Sequence, residues 1–268
     1  ALRDEDGQWA GGACFPGDFR GDFSQGQPWT STYPTLLLLR EFGIDPTAES
    51  VRKTIALVRD NCRWEHAGQA FFDGEVEPCI NGRTVALGSY FGVPVDGIVA
   101  RLLGEQLADG GWNCEVENGS VRSSFHTTMC VLDGLLAYEH ATGGTAESIA
   151  AGRRGEKYLL ERRMSRRLST GEVADPDWLQ FSFPTQWHYD VLRGLDHFRA
   201  VGAPDPRLAE AIELVRDRQQ ADGTWLLENT HRGAVPFVME DGDGRPSRWN
   251  TLRALRVLNW YDDHDRRR

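Results

Sequence analysis

The chain has 268 residues, of which 40% are hydrophobic and 26% are charged, as in an ordinary globular protein. Its formal net charge of −10 and its lack of a basic face argue against a nucleic-acid surface. The longest apolar run, residues 36–39, is too short to span a bilayer, and no signal-peptide pattern opens the chain. The five cysteines are odd in number and widely spread, which is untypical of a secreted disulfide framework. We therefore expect a cytoplasmic protein without an integral membrane segment.

A short turn recurs along the chain and indicates an internal repeat. It combines an aspartate, a glycine and, shortly afterwards, a tryptophan, and a glutamine precedes two of the copies in the pattern QxxDGxW. The three clear copies end at Trp9, Trp112 and Trp225, and a weaker copy around Asp73 and Gly74 lacks the tryptophan. A repeat of this kind outranks other signals when a fold is predicted.

Between these turns the sequence predicts helices of two kinds. One set begins with aromatic and hydroxyl residues and then becomes apolar, whereas the other is amphipathic with a charged face. The first set comprises residues 29–42, 123–139, 185–201 and 248–261, and the second comprises residues 48–60, 95–106, 147–163 and 206–219. Glycine and proline separate the helix pairs, and no run alternates well enough to predict a sheet. This alternation predicts an all-α fold, an α/α toroid with an inner and an outer ring of helices, in which residues 1–268 form a single domain.

The turns that end at Trp112 and Trp225 carry a resemblance to known families. They resemble the repeats of squalene and terpenoid cyclases and of protein prenyltransferase β-subunits, which share the α/α toroid. The repeats cover nearly the whole chain, and turn, tryptophan and helix alternation recur together, so the resemblance is specific for the fold. One fold hosts several chemistries, so the resemblance is less specific for function. It implies an enzyme that acts on a hydrophobic small molecule, of isoprenoid type, in a central cavity.

A second segment carries a narrower resemblance. Residues 125–135 (FHTTMCVLDGL) are similar to the prenyltransferase segment whose histidine binds the catalytic zinc, which implies that His126 is a zinc ligand. In that family the other ligands form an Asp-x-Cys pair after a Gly-Arg, at the start of the preceding inner helix. The matching place here, residues 82–90, has no Asp-x-Cys; Cys79 is the nearest thiol, and Cys114 lies further along. The acidic Asp-x-Asp-Asp and DDxxD motifs of cyclases are absent from the sequence as well.

Cys79, Cys114 and His126 are therefore the metal ligands that we predict, and zinc is the metal. Zinc favours thiolate and imidazole ligands, and catalytic zinc sites commonly keep three protein ligands and one position for water or substrate. Consecutive repeats of a toroid would place these three residues near one rim of the cavity. The alternative interpretation is that the two cysteines are small buried residues and that the histidine caps a helix.

Four residues are predicted to take part in proton transfer. Glu77 precedes Cys79 in an acidic segment, and Glu77 or Glu115 could complete the metal shell or act as a base. His188 could be a further ligand or a general base, and Asp190 is the acid to consider if no metal is bound. The competing interpretations are a solvated loop for the glutamates and a cavity wall for the histidine.

Aromatic, arginine and amide side chains near the predicted inner helices are candidates for substrate binding. Aromatic rings could line an apolar pocket and stabilise a cation by their π faces, and arginine or asparagine could hold an anionic group. These residues are Trp29, Arg83, Tyr90, Phe125, Trp187, Tyr189, Arg248, Trp249 and Asn250. Core packing and structural hydrogen bonds are the competing interpretations.

The sequence leaves three functional hypotheses. The first is a zinc-dependent enzyme of the terpenoid-cyclase and prenyltransferase superfamily, a cyclase, lyase or transferase with a hydrophobic substrate. The second is a metal-independent cyclase or isomerase whose acid is buried in a dry aromatic pocket. The third is a non-catalytic protein that binds a lipid or a peptide in its cavity. The identity of the substrate, the reaction, the oligomeric state and any partner protein stay open.

Overall fold

The computed structural model describes residues 2–202 and 204–266, and these are mostly helical. Helical residues, with short 3-10 segments included, make up 49% of the chain, and the described residues contain nine α-helices and two strands of two residues each. The prediction of mostly helical secondary structure is therefore confirmed. The helices are α1 (Thr32–Glu41), α2 (Glu49–Asn61), α3 (Pro78–Phe91), α4 (Asp96–Gly104), α5 (Phe125–Thr142), α6 (Ala146–Glu161), α7 (Val191–Val201), α8 (Ala209–Asp217) and α9 (Arg248–Asp265). The strands β1 (Trp225–Leu226) and β2 (Pro246–Ser247) pair antiparallel.

All eight predicted helices are present, but the ends of some differ from the prediction. α7 begins at Val191 rather than at residue 185, because the Asp190 carboxylate accepts a hydrogen bond from the Arg193 N–H at 2.7 Å and thereby caps the helix. From the Gly82-Arg83 pair, the sequence predicts that an inner helix starts at Gly82, and this prediction is wrong. That helix, α3, begins at Pro78, where proline suits the first helical position because it has no N–H to satisfy.

Contacts between residues divide the chain into two compact units, which are described separately. Unit 1 comprises Ala1–Arg154 and Arg232–Phe237, and unit 2 comprises Gly155–His231 and Val238–Arg268. Unit 1 holds α1 to α5 and most of α6, whereas unit 2 holds α7 to α9 and both strands. No helix within the described ranges has the length and apolar character that a membrane span needs.

In unit 1, alternate helices of the chain pack against one another. α1 contacts α3, and α3 lies along α5. The approach of α3 to α5 is closest at two glycines: a Cβ atom added to Gly134 would lie 2.0 Å from the carbonyl oxygen of Gly82, and one added to Gly82 would lie 2.5 Å from the carbonyl oxygen of Cys130. Two helix backbones meet here without any side chain between them.

The three tryptophan turns share a backbone conformation and one hydrogen bond. In each copy the glycine that follows the aspartate has a positive φ, a conformation that glycine adopts without strain. The backbone N–H of the tryptophan then donates to a threonine hydroxyl near the start of the next buried helix. These pairs are Trp9 with Thr32 at 3.1 Å, Trp112 with Thr128 at 3.1 Å, and Trp225 with Thr251 at 3.0 Å.

The second and third copies also bind the helix that precedes them. The indole N–H of Trp112 donates to the Leu102 carbonyl of α4, and that of Trp225 donates to the Val215 carbonyl of α8, both at 2.7 Å. Both tryptophan side chains are fully buried. Each turn therefore joins the amphipathic helix before it to the buried helix after it.

We expect the substitution Thr128→Val to lower the free energy of unfolding by about 1–2 kcal/mol, because the buried N–H of Trp112 loses its acceptor while the volume of the side chain is kept. Urea denaturation of the variant and the wild type measures this loss. Thr54→Val is the matched control: Thr54 is half-buried and its hydroxyl only donates to the Ser50 carbonyl of its own helix, so no buried N–H loses an acceptor and the change should stay within about 0.5 kcal/mol. Equal losses in both variants would contradict the proposed role of Thr128.

Candidate metal centre

Three side chains of unit 1 converge with ligand atoms that suit a metal ion. A carboxylate oxygen of Glu77 and the sulfur atoms of Cys79 and Cys114 all lie within 4.8 Å of one another. The Cys79 thiol lies 3.3 Å from Oε2 of Glu77, to which it donates. The cysteines are half-buried and Glu77 is exposed, so the cluster faces solvent on its carboxylate side.

The first half of this centre is formed by the start of α3 and the loop before it. Glu77 is the N-cap of α3, and Cys79 is its second residue. The loop is held in place by α3 itself, since the Asn81 amide accepts a hydrogen bond from the Glu75 N–H and donates one to the Glu75 carbonyl, both at 2.7 Å. The guanidinium of Arg101 on α4 adds a second bond to the Glu75 carbonyl, also at 2.7 Å. Glu77 and Cys79 are therefore positioned by buried or half-buried polar contacts rather than by a free loop.

The second half of the centre comes from the segment that follows the second tryptophan turn. Cys114 is the first residue of a single 3-10 turn. The side chain of Asn113 caps this turn: Oδ1 accepts a hydrogen bond from the Glu115 N–H at 3.0 Å, and Nδ2 donates to the Arg122 carbonyl at 2.7 Å. The Thr127 hydroxyl of α5 lies 3.5 Å from the Cys114 sulfur. The position of Cys114 thus depends on both the turn and α5.

The two cysteine side chains shift each other's pKa in opposite directions. Their mutual hydrogen bond lowers the pKa of Cys114, and hydrogen bonds from the Thr127 hydroxyl and the Cys79 N–H lower that pKa further. The same hydrogen bond, with burial and the negative charges of Cys114 and Glu77, raises the pKa of Cys79 well above its usual value. A cation that replaces the Cys79 thiol proton would allow both sulfurs to be thiolates beside the carboxylate.

Two of the three predicted ligands, Cys79 and Cys114, therefore lie together, and Glu77 joins them. His126 is the second residue of α5, next to Thr127, and is not among the three converging side chains. The Gly-Arg pair at residues 82 and 83 does not mark the start of α3, and Pro78 is the residue that could have located that start.

The remaining unit 1 residues that the sequence predicts are placed as follows. Glu115 is exposed and accepts a hydrogen bond from Asn118 Nδ2 at 2.7 Å, outside the converging set. Arg83 lies one helical turn after Cys79 and so shares a face of α3 with it. Tyr90 lies near the end of α3, not at the start of a helix, and its hydroxyl donates to the Ile44 carbonyl at 2.6 Å.

Trp29 and Phe125 are buried side chains of unit 1. The Trp29 indole N–H donates to the Arg232 carbonyl at 3.2 Å, and its backbone N–H donates to the Ala234 carbonyl at 2.7 Å. Phe125 is the first residue of α5 and is 5% exposed. Trp29 and Phe125 are therefore placed as core residues, which favours core packing over substrate binding for both.

In unit 2, three rings form a parallel stack. The centroids of Trp187 and His188 lie 3.7 Å apart with an angle of 22° between the rings, and those of His188 and His231 lie 3.6 Å apart with an angle of 6°. Burial lowers the pKa of His231. The sequence predicts Trp187 and His188 as site residues but misses His231, which stands in a loop without a motif.

Asp190 and Tyr189 have structural contacts in unit 2. One Asp190 oxygen caps α7 and the other accepts a hydrogen bond from the Ser182 hydroxyl at 2.9 Å. The Tyr189 hydroxyl donates to the Met164 carbonyl at 2.6 Å, and burial raises the pKa of Tyr189 well above its usual value. These bonds fix the start of α7 and give Asp190 the role of a helix cap.

The predicted residues at the start of α9 also bind the protein itself. Exposed Arg248 donates to the Met239 carbonyl at 3.0 Å, and the Trp249 ring stacks on Phe183 at 4.8 Å. Buried Asn250 donates through Nδ2 to two carbonyl groups, at 3.1 and 3.0 Å, which belong to Phe181 and Leu226. For Asn250, these bonds match the structural interpretation given above.

A scan of the chain against protein-family models gives no match, and a search of the curated proteins gives none either. Over the part of the chain that the structure describes, Glu77, Cys79 and Cys114 form a group of three side chains that could hold a metal ion. This centre is the strongest chemical feature of unit 1.

Proposed function

We propose that this chain is a zinc-dependent enzyme of the terpenoid-cyclase and prenyltransferase type, an α/α toroid that acts on a hydrophobic, isoprenoid-like small molecule in its cavity. The observation that carries the proposal is the convergence of Glu77, Cys79 and Cys114. The toroid is supported by the repeated tryptophan turns and by the packing of alternate helices in unit 1. The substrate class and the enzymatic role come from the resemblance of the repeats.

The donor set fits zinc better than a hard cation. Two sulfurs are soft ligands that calcium and magnesium avoid, whereas zinc binds thiolates and carboxylates together. Three protein ligands leave a coordination position for substrate, and the exposure of Glu77 leaves the centre accessible. We keep His126, which the resemblance implies as a ligand, as the alternative to Glu77 in a shell of three protein ligands, because its neighbour Thr127 contacts Cys114.

The residues of the chain would act on the substrate in distinct ways. Bound zinc would supply a Lewis acid or lower the pKa of a coordinated thiol or water. Glu77, at the exposed side, accepts a hydrogen bond from the Cys79 thiol and could accept a proton from the substrate when it is not bound to the metal. Arg83, on the same face of α3 one turn further, can hold an anionic group of the substrate. The amino-terminal end of α3 favours the negative charge of the sulfur cluster.

Metal analysis of the purified protein tests this proposal. We expect close to one zinc per chain in protein prepared without chelator, and almost none in Cys79→Ser and Cys114→Ser. Glu77→Gln should weaken zinc binding by at least about tenfold, whereas Glu115→Gln, the matched control, should bind zinc like the wild type. Loss of zinc in His126→Ala would identify the imidazole as a ligand.

Titration of zinc into reduced, metal-free protein gives an independent measurement. Zinc must displace the thiol proton of Cys79, whose pKa is raised, so uptake should release protons and should weaken as pH falls. Absence of zinc uptake by the folded, reduced protein would contradict the proposal. The metal-independent cyclase and the non-catalytic binding protein would then be the hypotheses to pursue.

A further inference from the structure

Cys79 and Cys114 differ from the other three cysteines in exposure. Cys14, Cys62 and Cys130 are buried, whereas Cys79 and Cys114 are half-buried. Burial raises the pKa of Cys62 to about 12 and that of Cys14 higher still, so these two remain inert thiols. Oxidation should therefore be selective for the pair in the candidate metal centre.

The two half-buried sulfurs are also close enough to react with each other. They lie within 4.8 Å, while their residues belong to different segments, the start of α3 and a single 3-10 turn. A disulfide needs the sulfurs to approach to about 2.05 Å, a movement that side-chain rotation and a small shift of the 3-10 turn can supply. The exposed side of the centre gives a small oxidant access.

We propose that Cys79 and Cys114 form a reversible disulfide on oxidation, and that this disulfide prevents metal binding at the centre. The first part rests on the distance and exposure of the sulfurs alone, and the second part rests on the proposed zinc site. A disulfide removes both sulfur ligands and leaves Glu77, which cannot hold zinc alone. The oxidised and the metal-bound states therefore exclude each other.

With hydrogen peroxide as the oxidant, the reaction balances as follows. The Cys114 sulfur attacks a peroxide oxygen, so an S–O bond forms, the O–O bond breaks and one water leaves after protonation. The Cys79 sulfur then attacks the Cys114 sulfur, so the S–S bond forms and the second oxygen leaves as water. The two thiols lose two hydrogens and two electrons, and peroxide is reduced to two waters. A thiol such as dithiothreitol reverses the step by exchange.

The test uses the full chain, reduced and free of metal, treated with a small excess of hydrogen peroxide and then alkylated. We expect non-reducing peptide mapping by mass spectrometry to find one cross-link, between the peptides of Cys79 and Cys114, which dithiothreitol removes. The variants Cys79→Ser and Cys114→Ser should show no cross-link, while Cys62→Ala, the control, should keep it. Circular dichroism of each variant confirms that it is folded. A cross-link that uses another cysteine, or sulfinic acid without any cross-link, would overturn the proposal.

Zinc binding by the oxidised protein separates this inference from the proposed function. We expect the reduced protein to take up close to one zinc and the cross-linked protein to take up almost none until dithiothreitol is added. A cross-link in a protein that binds no zinc when reduced would contradict the zinc site and the switch while leaving the disulfide itself established. Equal zinc uptake by reduced and cross-linked protein would show that the disulfide does not control the centre.

Discussion

Replacement of Gly82 or Gly134 by alanine is expected to destabilise unit 1 by about 1–3 kcal/mol or more. The added Cβ atoms would lie 2.5 Å and 2.0 Å from backbone oxygens of the facing helix, and a backbone oxygen cannot rotate away as a side chain can. α3 and α5 would have to separate. Urea denaturation with a helix-sensitive probe measures the loss as a lower midpoint.

The matched control is Gly152→Ala in α6. A Cβ atom there meets nothing within 4 Å, and the residue does not have a positive φ, so alanine should stabilise the helix by about 0.5–1 kcal/mol. The Gly134 variant has a second expected consequence, since α3 carries Cys79 and α5 carries Thr127 beside Cys114. Zinc binding should therefore be weaker in Gly134→Ala than in the wild type. Unchanged stability of Gly82→Ala and Gly134→Ala would show that the helices are not in backbone contact.

Trp112→Ala is expected to cost about 3–5 kcal/mol of unfolding free energy. The indole is fully buried, its N–H donates to the Leu102 carbonyl, and its removal leaves a large cavity behind the segment that carries Cys114. Trp225→Ala should cost a similar amount in unit 2, because its contacts are of the same kind. Thermal and urea unfolding of both variants measure the two losses.

Trp260→Ala serves as the control for the tryptophan substitutions. Its indole N–H also donates to a backbone carbonyl, that of Gly202, but the side chain is only half-buried. A loss of about 1–2 kcal/mol is expected, because the hydrogen bond is lost without a large cavity. If Trp112→Ala lowers the free energy of unfolding no more than Trp260→Ala does, the repeated turn does not stabilise the packing of the two helices that it contacts.

The helices were predictable because their apolar residues recur with the helical period and glycine or proline separates them. The start of α7 was not predictable from this pattern. Residues 185–190 contain the same aromatic and hydroxyl types as the other helix starts, but Asp190 accepts a hydrogen bond from the Arg193 N–H and so begins the helix at Val191. Side-chain capping of this kind decides a boundary by a single bond, which composition does not reveal.

The sequence predicted both cysteines of the candidate site as metal ligands, but it predicted Glu77 only as a possible addition to the metal shell or as a base. Cys79 and Cys114 stand far apart in the sequence, and the tryptophan turn with the start of α3 brings them together. Glu77 belongs to an acidic segment that the sequence marks, but only the helix start at Pro78 shows that Glu77 and Cys79 share one end of a helix. The stack of His188 on His231 depends on a loop without periodicity, so no sequence signal predicts it.

The tryptophan turn allows the residues that follow it to differ from one copy to the next. Its hydrogen bonds use backbone groups, one indole and one threonine, and none of these bonds involves a side chain that comes after the tryptophan. The second residue after the tryptophan is Gly11, Cys114 and Leu227 in the three copies. The residue at this position therefore differs between copies that keep the same tryptophan-to-threonine hydrogen bond: it belongs to the candidate metal centre in the second copy and to the buried core, as Leu227, in the third.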